Sequence, residues 1–155
     1  MIRPTTPADT PALLTMAAAT GVFRPLEIDA LREVLDDYHD HARAAGDRCF
    51  AYEGHGDVLG FEYHGLEPMT ENCWSLWWIV VKPGTQGKGI GAKLLKFAED
   101  DARAHGARIF FLETSGMPHS EKTRKFYLKN GYEEEGRLRD FYAPADDQVI
   151  FRKVL

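Results

Sequence analysis

Residues 74–99, WSLWWIVVKPGTQGKGIGAKLLKFAE, decide the fold. Trp74 to Val81 is a dense apolar run of aromatic and β-branched residues, the composition of a strand buried on both faces. Lys82-Pro83 ends it, because proline cannot donate to a ladder. Gln86-Gly87-Lys88-Gly89-Ile90-Gly91 then makes a glycine-rich turn, and a helical pattern follows through Ala104. Strand, turn and helix N-terminus together collect backbone N–H groups, which is a site for an anion such as phosphate. Between Asn72 and Ala98 there is no Asp or Glu, yet Lys82, Lys88, Lys93 and Lys96 fall there, in a chain of formal net charge -5. A local basic region on an acidic protein suits a small polyanion. A nucleic-acid partner would need a broad basic face.

The composition, 155 residues with 44% hydrophobic and 28% charged, predicts one globular domain over 1–155 with a sizeable core. The apolar run is too short to cross a bilayer, so no membrane partner is expected. The start, MIRPTTPADT, lacks the apolar stretch of a signal peptide, and the expected location is cytoplasmic. Cys49 and Cys73 then read as reduced thiols. His55, His64, His105 and His119 have no metal-ligand spacing, and no metal is assigned.

Outward from the opening stretch, Ile2-Arg3 reads as a first strand. Thr6-Pro7-Ala8-Asp9 reads as a capping box opening a helix that ends near Gly21. A second helix runs from Pro25 to Gly46, with Ile28, Leu31, Leu35, Tyr38 and Ala42 at core spacing and His39 and His41 on the solvated side. Arg48–Glu53 and Val58–Leu66 form a hairpin around Gly54-His55-Gly56-Asp57. After the long helix come a buried strand, Arg108–Thr114, and a short helix, Ser120–Asn130. Two antiparallel strands follow, Tyr132–Tyr142 and Gln148–Val154, and Glu133-Glu134-Glu135 marks a solvated edge. The order β-α-α-β-β-β-α-β-α-β-β predicts an α/β chain with a mixed sheet and helices on both faces.

By itself the glycine turn has more than one reading. Gly87-x-Gly89-x-x-Ala92 fits a loose dinucleotide fingerprint, with Glu113 at the end of the next strand as a ribose-binding acid. That fold would continue in parallel βα units, whereas the C-terminal pattern here is antiparallel. A Walker A loop fails, because no Gly-Lys-Ser/Thr follows at the required spacing.

Val81-x-Pro83-x-x-Gln86-Gly87-x-Gly89-Ile90-Gly91 resembles the acetyl-CoA-binding motif of the GCN5-related N-acetyltransferase (GNAT) superfamily, Arg/Gln-x-x-Gly-x-Gly/Ala. Phe126-Tyr127-Leu128-Lys129-Asn130-Gly131-Tyr132 resembles the family's Leu-Tyr-x-x-x-Gly-Phe block, and the element order matches along essentially the whole chain. The resemblance implies the GNAT acyl-CoA N-acyltransferase fold and acetyl transfer from acetyl-CoA, the cosubstrate, to a small-molecule or peptide amine by direct attack in a ternary complex. It implies that amides of Gln86, Gly87, Lys88, Gly89, Ile90 and Gly91 hold the pyrophosphate, with Lys88 and Lys82 adding charge. Pantetheine would lie beside Ile79, Val80 and Val81, where a backbone N–H of Val80 or Val81 faces the thioester oxygen. Ser120 stands where the family often has Asn, and it keeps a hydroxyl for the pantetheine.

Within the same resemblance Tyr127 is the general acid that returns a proton to the thiolate, against the alternative of a core aromatic packed on Phe126. Glu113 is the candidate base, with Glu62 and Glu71 as rivals and a hydrogen bond to the Ser115 loop as its structural alternative. Trp77 and Trp78 are expected on opposite faces of their strand. Asp140, Tyr142, Asp146 and Asp147 read as solvated turn residues before cationic-amine recognition. A homodimer is compatible with the resemblance. Two other functions stay open: a non-catalytic acyl-CoA-binding module, and a nucleotide-binding oxidoreductase fragment.

Overall fold

In the computed structural model, which describes residues 1–155, the apolar run is the middle strand of one seven-stranded sheet ordered β1-β2-β3-β4-β5-β7-β6. The strands are β1 (Ile2–Pro4), β2 (Arg48–Gly54), β3 (Asp57–Leu66), β4 (Cys73–Val81), β5 (Ile109–Ser115), β6 (Glu133–Ala143) and β7 (Asp146–Val154). The helices are α1 (Thr10–Ala19), α2 (Pro25–Asp37), α3 (Arg43–Ala45), α4 (Ile90–Ala104) and α5 (Glu121–Lys129). Only β4 and β5 run parallel; every other neighbour pair is antiparallel. This is the mixed α/β architecture that the sequence predicts. No helix is long and apolar enough to cross a membrane.

The sheet separates two cores. On one face Leu13, Leu31, Leu35, Tyr38, Phe61 and Val80 pack α1 and α2 onto the strands. On the other, Leu95, Ala98 and Ala102 of α4 and Tyr127 of α5 pack onto Trp74, Leu76, Phe110 and Phe151. Burying both faces is what the unbroken apolar run of β4 requires. The expected capping box holds: Thr6 N–H donates to Asp9 Oδ2 at 2.7 Å; α2 has a similar cap that the sequence reading did not name, Arg24 N–H to Glu27 Oε2 at 2.6 Å.

Two local expectations need correcting. The second helix is not continuous to Gly46, because a π-helical stretch, Tyr38–Ala42, separates α2 from α3. The wider turn lets Tyr38 pack edge-on against Tyr63 at 5.3 Å and accept the Cys49 N–H at 3.3 Å. It also turns His39 partly inward, leaving its Nε2 buried without a partner, so this residue is not on the solvated side. Trp77 and Trp78 are not on opposite faces either. Tyr63 pairs with Trp78 and His64 with Leu76, so Trp77 is the extra residue of a β-bulge. Both indoles therefore pack on the α1–α2 side, and alternation resumes with Ile79 on the α4 side and Val80 opposite.

Beneath α4 lies a buried ionic network. His64 Nδ1 is 2.7 Å from Glu62 Oε2 and its Nε2 is 2.9 Å from Asp101 Oδ2. Arg48 completes the set with a two-pronged contact to Asp101, one arm at 2.9 Å. The side chains of Glu62 and His64 are fully buried, which removes Glu62 as a rival catalytic base. Burial alone would lower the His64 pKa; the Glu62 carboxylate and the Asp101 hydrogen bond outweigh it and push it up to about 9.

A histidine raised in the native state stabilises it fully below the unfolded value, about 6.5, and that stabilisation disappears as pH climbs through about 9. Urea denaturation should therefore show unfolding free energy falling between neutral pH and mildly alkaline pH. His64→Gln should be destabilised by roughly 3–5 kcal/mol, through the buried Glu62 carboxylate it leaves unpaired, and should lose that alkaline decline.

Candidate active site

Parallel pairing between β4 and β5 runs from Cys73↔Ile109 to Leu76↔Leu112 and stops. Beyond that point β4 stays on β3 as far as Val81, while β5 stays on β7 as far as Ser115↔Gln148. The bulge at Trp77 sits where the strands part. A cleft of about 1740 Å³ opens between them. Ile79, Val80, Val81, Gln86, Gly87, Gly89, Ile90, Gly91, Ser120, Tyr127 and Glu113 all line it, whereas Lys82, Lys88, Glu62 and Glu71, which the sequence also suggested, do not. A depression of about 200 Å³ beside Arg43 and Arg48 is far smaller, and its Arg48 is already taken by Asp101.

The anion cradle has a definite form. Gly87 and Gly89 adopt positive φ of 82° and 77°, and Gly89 is the N-cap of α4. The N–H groups of residues 86 to 92 meet no backbone or side-chain acceptor; the first helical bond of the region is Lys93 N–H to Gly89 O at 3.0 Å. Gly91, in contrast, has ordinary helical geometry, and a Cβ there would touch Val81 and Phe126 at 3.5 Å. Most of the local lysine charge is already spent. Lys82 is paired with Asp57, Lys96 bonds Asp100 at 2.6 Å, and Lys93 lies over the Tyr52 ring at 5.7 Å. That leaves Lys88 alone at the turn, exposed and unpaired, and corrects the expectation that Lys82 adds charge to the cradle.

On β4 the ladder identifies the open donors. Lys82 N–H donates to Leu59 O at 2.9 Å, and antiparallel alternation then directs Val80 to its partner Phe61. Val80 is thereby removed as an oxyanion donor. The N–H groups of Ile79 and Val81 face the gap.

Across the gap stands α5, held by Arg124, whose guanidinium donates to Ser115 O at 2.8 Å and Met117 O at 2.9 Å. Tyr127 is 96% buried (4% exposed), in contact with the rings of Phe126, Tyr132 and Phe151. Its phenol has no hydrogen-bond partner; burial, then the neighbouring Tyr142, hold its pKa well above the usual tyrosine range. Core aromatic and cleft-facing phenol are thus the same residue.

Glu113 opens to the cleft and accepts the Gln148 Nε2 hydrogen at 3.1 Å, in place of the contact expected with the Ser115 loop, since Ser115 bonds Asp146. Glu113 is exposed to the cleft, yet partial desolvation by the surrounding walls, then the nearby Glu67, raise its pKa. Glu71 does not line the cleft; its carbonyl accepts from Arg108 at 2.6 Å. Sequence reading missed Gln148, Arg24 and Glu27, whose signal is tertiary. It also missed Lys122, Thr123 and Asn130, although these share the helical spacing of one α5 face with Phe126.

The acetyltransferase (GNAT) family model matches residues 16–132, more than half of the chain. The chain belongs to the GNAT family. A solved GNAT-family protein from Desulfovibrio desulfuricans superposes with a TM-score of 0.93 at 34% identity, covering 99% of this chain and 98% of that one. The aminoglycoside N(6')-acetyltransferase type 1 of Klebsiella aerogenes is 31% identical over 96 residues, 57% of this chain and 60% of that protein. Alignments with the curated relatives span 35% to 60% of those proteins' lengths. The PaiA N-acetyltransferase of Thermoplasma acidophilum, solved in complex with coenzyme A, shares the fold at a TM-score of 0.78 and 20% identity, covering 100% of this chain and 98% of that one.

In this GNAT chain the seat of α4 depends on Gly60 of β3. A Cβ there would come within 2.9 Å of both Leu94 Cδ1 and the Val80 carbonyl oxygen. Backbone cannot yield as a flexible side chain does, so Gly60→Val should cost about 1–3 kcal/mol in urea unfolding through overpacking. It should also move the start of α4 relative to β4, read as altered exchange protection along Lys93–Phe97.

Proposed function

We propose that the 155 residues form a single acetyl-CoA-dependent N-acetyltransferase domain that acetylates a primary amine by direct attack in a ternary complex. The observation that carries this reading is the row of partnerless N–H groups over residues 86 to 92, ending at the mouth of a cleft that also holds a buried, partnerless phenol. Such amides suit a pyrophosphate, and Lys88 adds a positive charge beside them. Pantetheine then follows the open β4 edge at Ile79–Val81, and Ser120, the buried N-cap of α5, offers its hydroxyl from across the gap.

The acceptor nitrogen attacks the thioester carbonyl, and the Val81 N–H meets the negative charge that develops on its oxygen. Glu113, with its raised pKa, takes a proton from the amine directly or through one water. The C–S bond breaks, and Tyr127 returns a proton to sulfur. Free cysteine chemistry is not needed: Cys49 is fully buried, and burial raises its thiol pKa.

Thiol release from acetyl-CoA across a panel of amines tests the transfer. Acetyl-CoA binding with no release for any amine would leave a binding module in its place. Tyr127→Phe should lower kcat by about 10²–10⁴-fold while acetyl-CoA affinity changes little. Because burial keeps this phenol protonated, the wild-type kcat should show no falling limb up to about pH 10, the ordinary tyrosine value. Unchanged kcat in the variant removes Tyr127 as the acid.

A further inference from the structure

Gln148 lines the cleft with a polar side chain, yet the residue is only 6% exposed. Burying an amide costs free energy unless it is hydrogen-bonded, and a Met of similar length would fill the same space without that cost. The amide is spent on the cleft itself: its Nε2 donates to Glu113 Oε2 at 3.1 Å. Only the Nε2 end can serve there, because Oε1 would set its lone pairs against those of a carboxylate. The backbone beneath this amide is fixed from both sides. Gln148 pairs with Ser115 of β5 and with Leu138 of β6, the last regular pair of β6 before its wide bulge to Ala143↔Asp146. Glu113 lies opposite Ile150, so it shares a sheet face with Gln148 one diagonal step away.

Glu113 has no restraint of its own. It stands just beyond the last β4–β5 pair, exposed to the cleft, and the Gln148 amide is its one hydrogen-bond partner. No arginine or lysine pairs with it. Of the charged groups around it, Glu67, from the segment before β4, acts as a like charge. Asp146 at the start of β7 is taken by the Ser115 hydroxyl, and Arg24 of the α2 wall is committed to Glu27 at 3.6 Å. Tyr142 of β6, and His119 and Lys122 on the α5 side, line the cleft without bonding the carboxylate. An exposed glutamate left to itself spreads its oxygens over several rotamers. With Oε2 held, Oε1 is the oxygen left to meet an amine proton or a water.

We propose that Gln148 is a positioning residue: its enclosed amide anchors Oε2 of Glu113, so that Oε1 faces the incoming amine. This rests on the acetyltransferase reading above, in which Glu113 takes the amine proton. The same bond has a second effect. A donor to a carboxylate favours its ionised form, the form that accepts a proton, and so opposes the partial desolvation and the Glu67 charge that favour the neutral one.

Gln148→Met keeps the length and fills the enclosed space but removes the donor. Gln148→Asn keeps an amide too short to reach Glu113, and serves as the second variant should the first not fold. Carboxyl-carbon NMR titration, with the Glu113 signal assigned by its absence in Glu113→Gln, should place the Glu113 midpoint about one pH unit higher in either variant than in the wild type. With a saturating amine that the wild type uses, the acid limb of log kcat should move up by the same amount. The plateau above it should fall about tenfold through lost orientation, while KM for acetyl-CoA stays within about twofold. A glutamine that only supports the fold would lower Tm and move neither midpoint. Unmoved midpoints in both variants, with the limb abolished in Glu113→Gln, overturn the inference and leave Glu113 as the base. A limb that survives in Glu113→Gln removes Glu113 as the base and this inference with it. Acetyl-CoA bound with no thiol released for any amine removes the transfer and the inference together.

Discussion

The rest of the site depends on the parting of β4 and β5. These are the only parallel neighbours in the sheet, and their ladder ends at Leu76↔Leu112. Parallel strands lying side by side would bury each other's backbone edge. Here the extra residue at Trp77 bends β4 away, and β5 is kept in place by an antiparallel ladder to β7 that extends to Ser115↔Gln148. The result is a strand edge with open N–H groups in the interior of the protein instead of at its rim. One wall of the gap carries the cradle and the other carries α5. The bulge also puts both indoles on the α1–α2 side, where they line the cleft.

A gap in a sheet weakens the structure locally, and the surrounding contacts offset this. α4 is seated on Gly60 at one end and held through Asp101 to His64 and Arg48 at the other. Its middle is tied by Glu99, which accepts the Tyr132 hydroxyl at 2.9 Å and the Lys153 ammonium at 3.0 Å. α5 is pinned by Arg124, and the β6 bulge reaches α2 through Arg24 and the Tyr142 carbonyl. The amide row and the phenol thus rest on parts of the chain far apart in sequence. Rigid support of this kind is what precise positioning of reacting groups needs.

Much of this was legible from residues alone, because the signals were local. Proline after an apolar run stops a strand, glycine at 87 and 89 admits positive φ, and the capping box at Thr6 opens a helix. Tyr127 and the glycine turn, which line one cleft, could each be singled out because a helix and a turn keep their spacing in any fold. Glu62 was misjudged as a catalytic rival, since nothing in its neighbourhood in sequence tells of Asp101 and Arg48 closing over it. Lys82 was misjudged for the same reason, its charge being taken by Asp57 across the hairpin.

By itself, then, the sequence determined the element order, the mixed sheet and the glycine-rich turn before α4, all of which follow from periodicity and from backbone chemistry between near neighbours. Tertiary structure alone decided where β4 leaves β5, and therefore which N–H groups are open. It also decided that Trp77 and Trp78 share a face, and that Glu113, Tyr127 and Tyr142, from three different elements, line one cleft. These are consequences of strand register and of bulges, which shift which side chains meet across the sheet. A register change of one residue alters no local sequence signal, yet it re-aims every side chain beyond it.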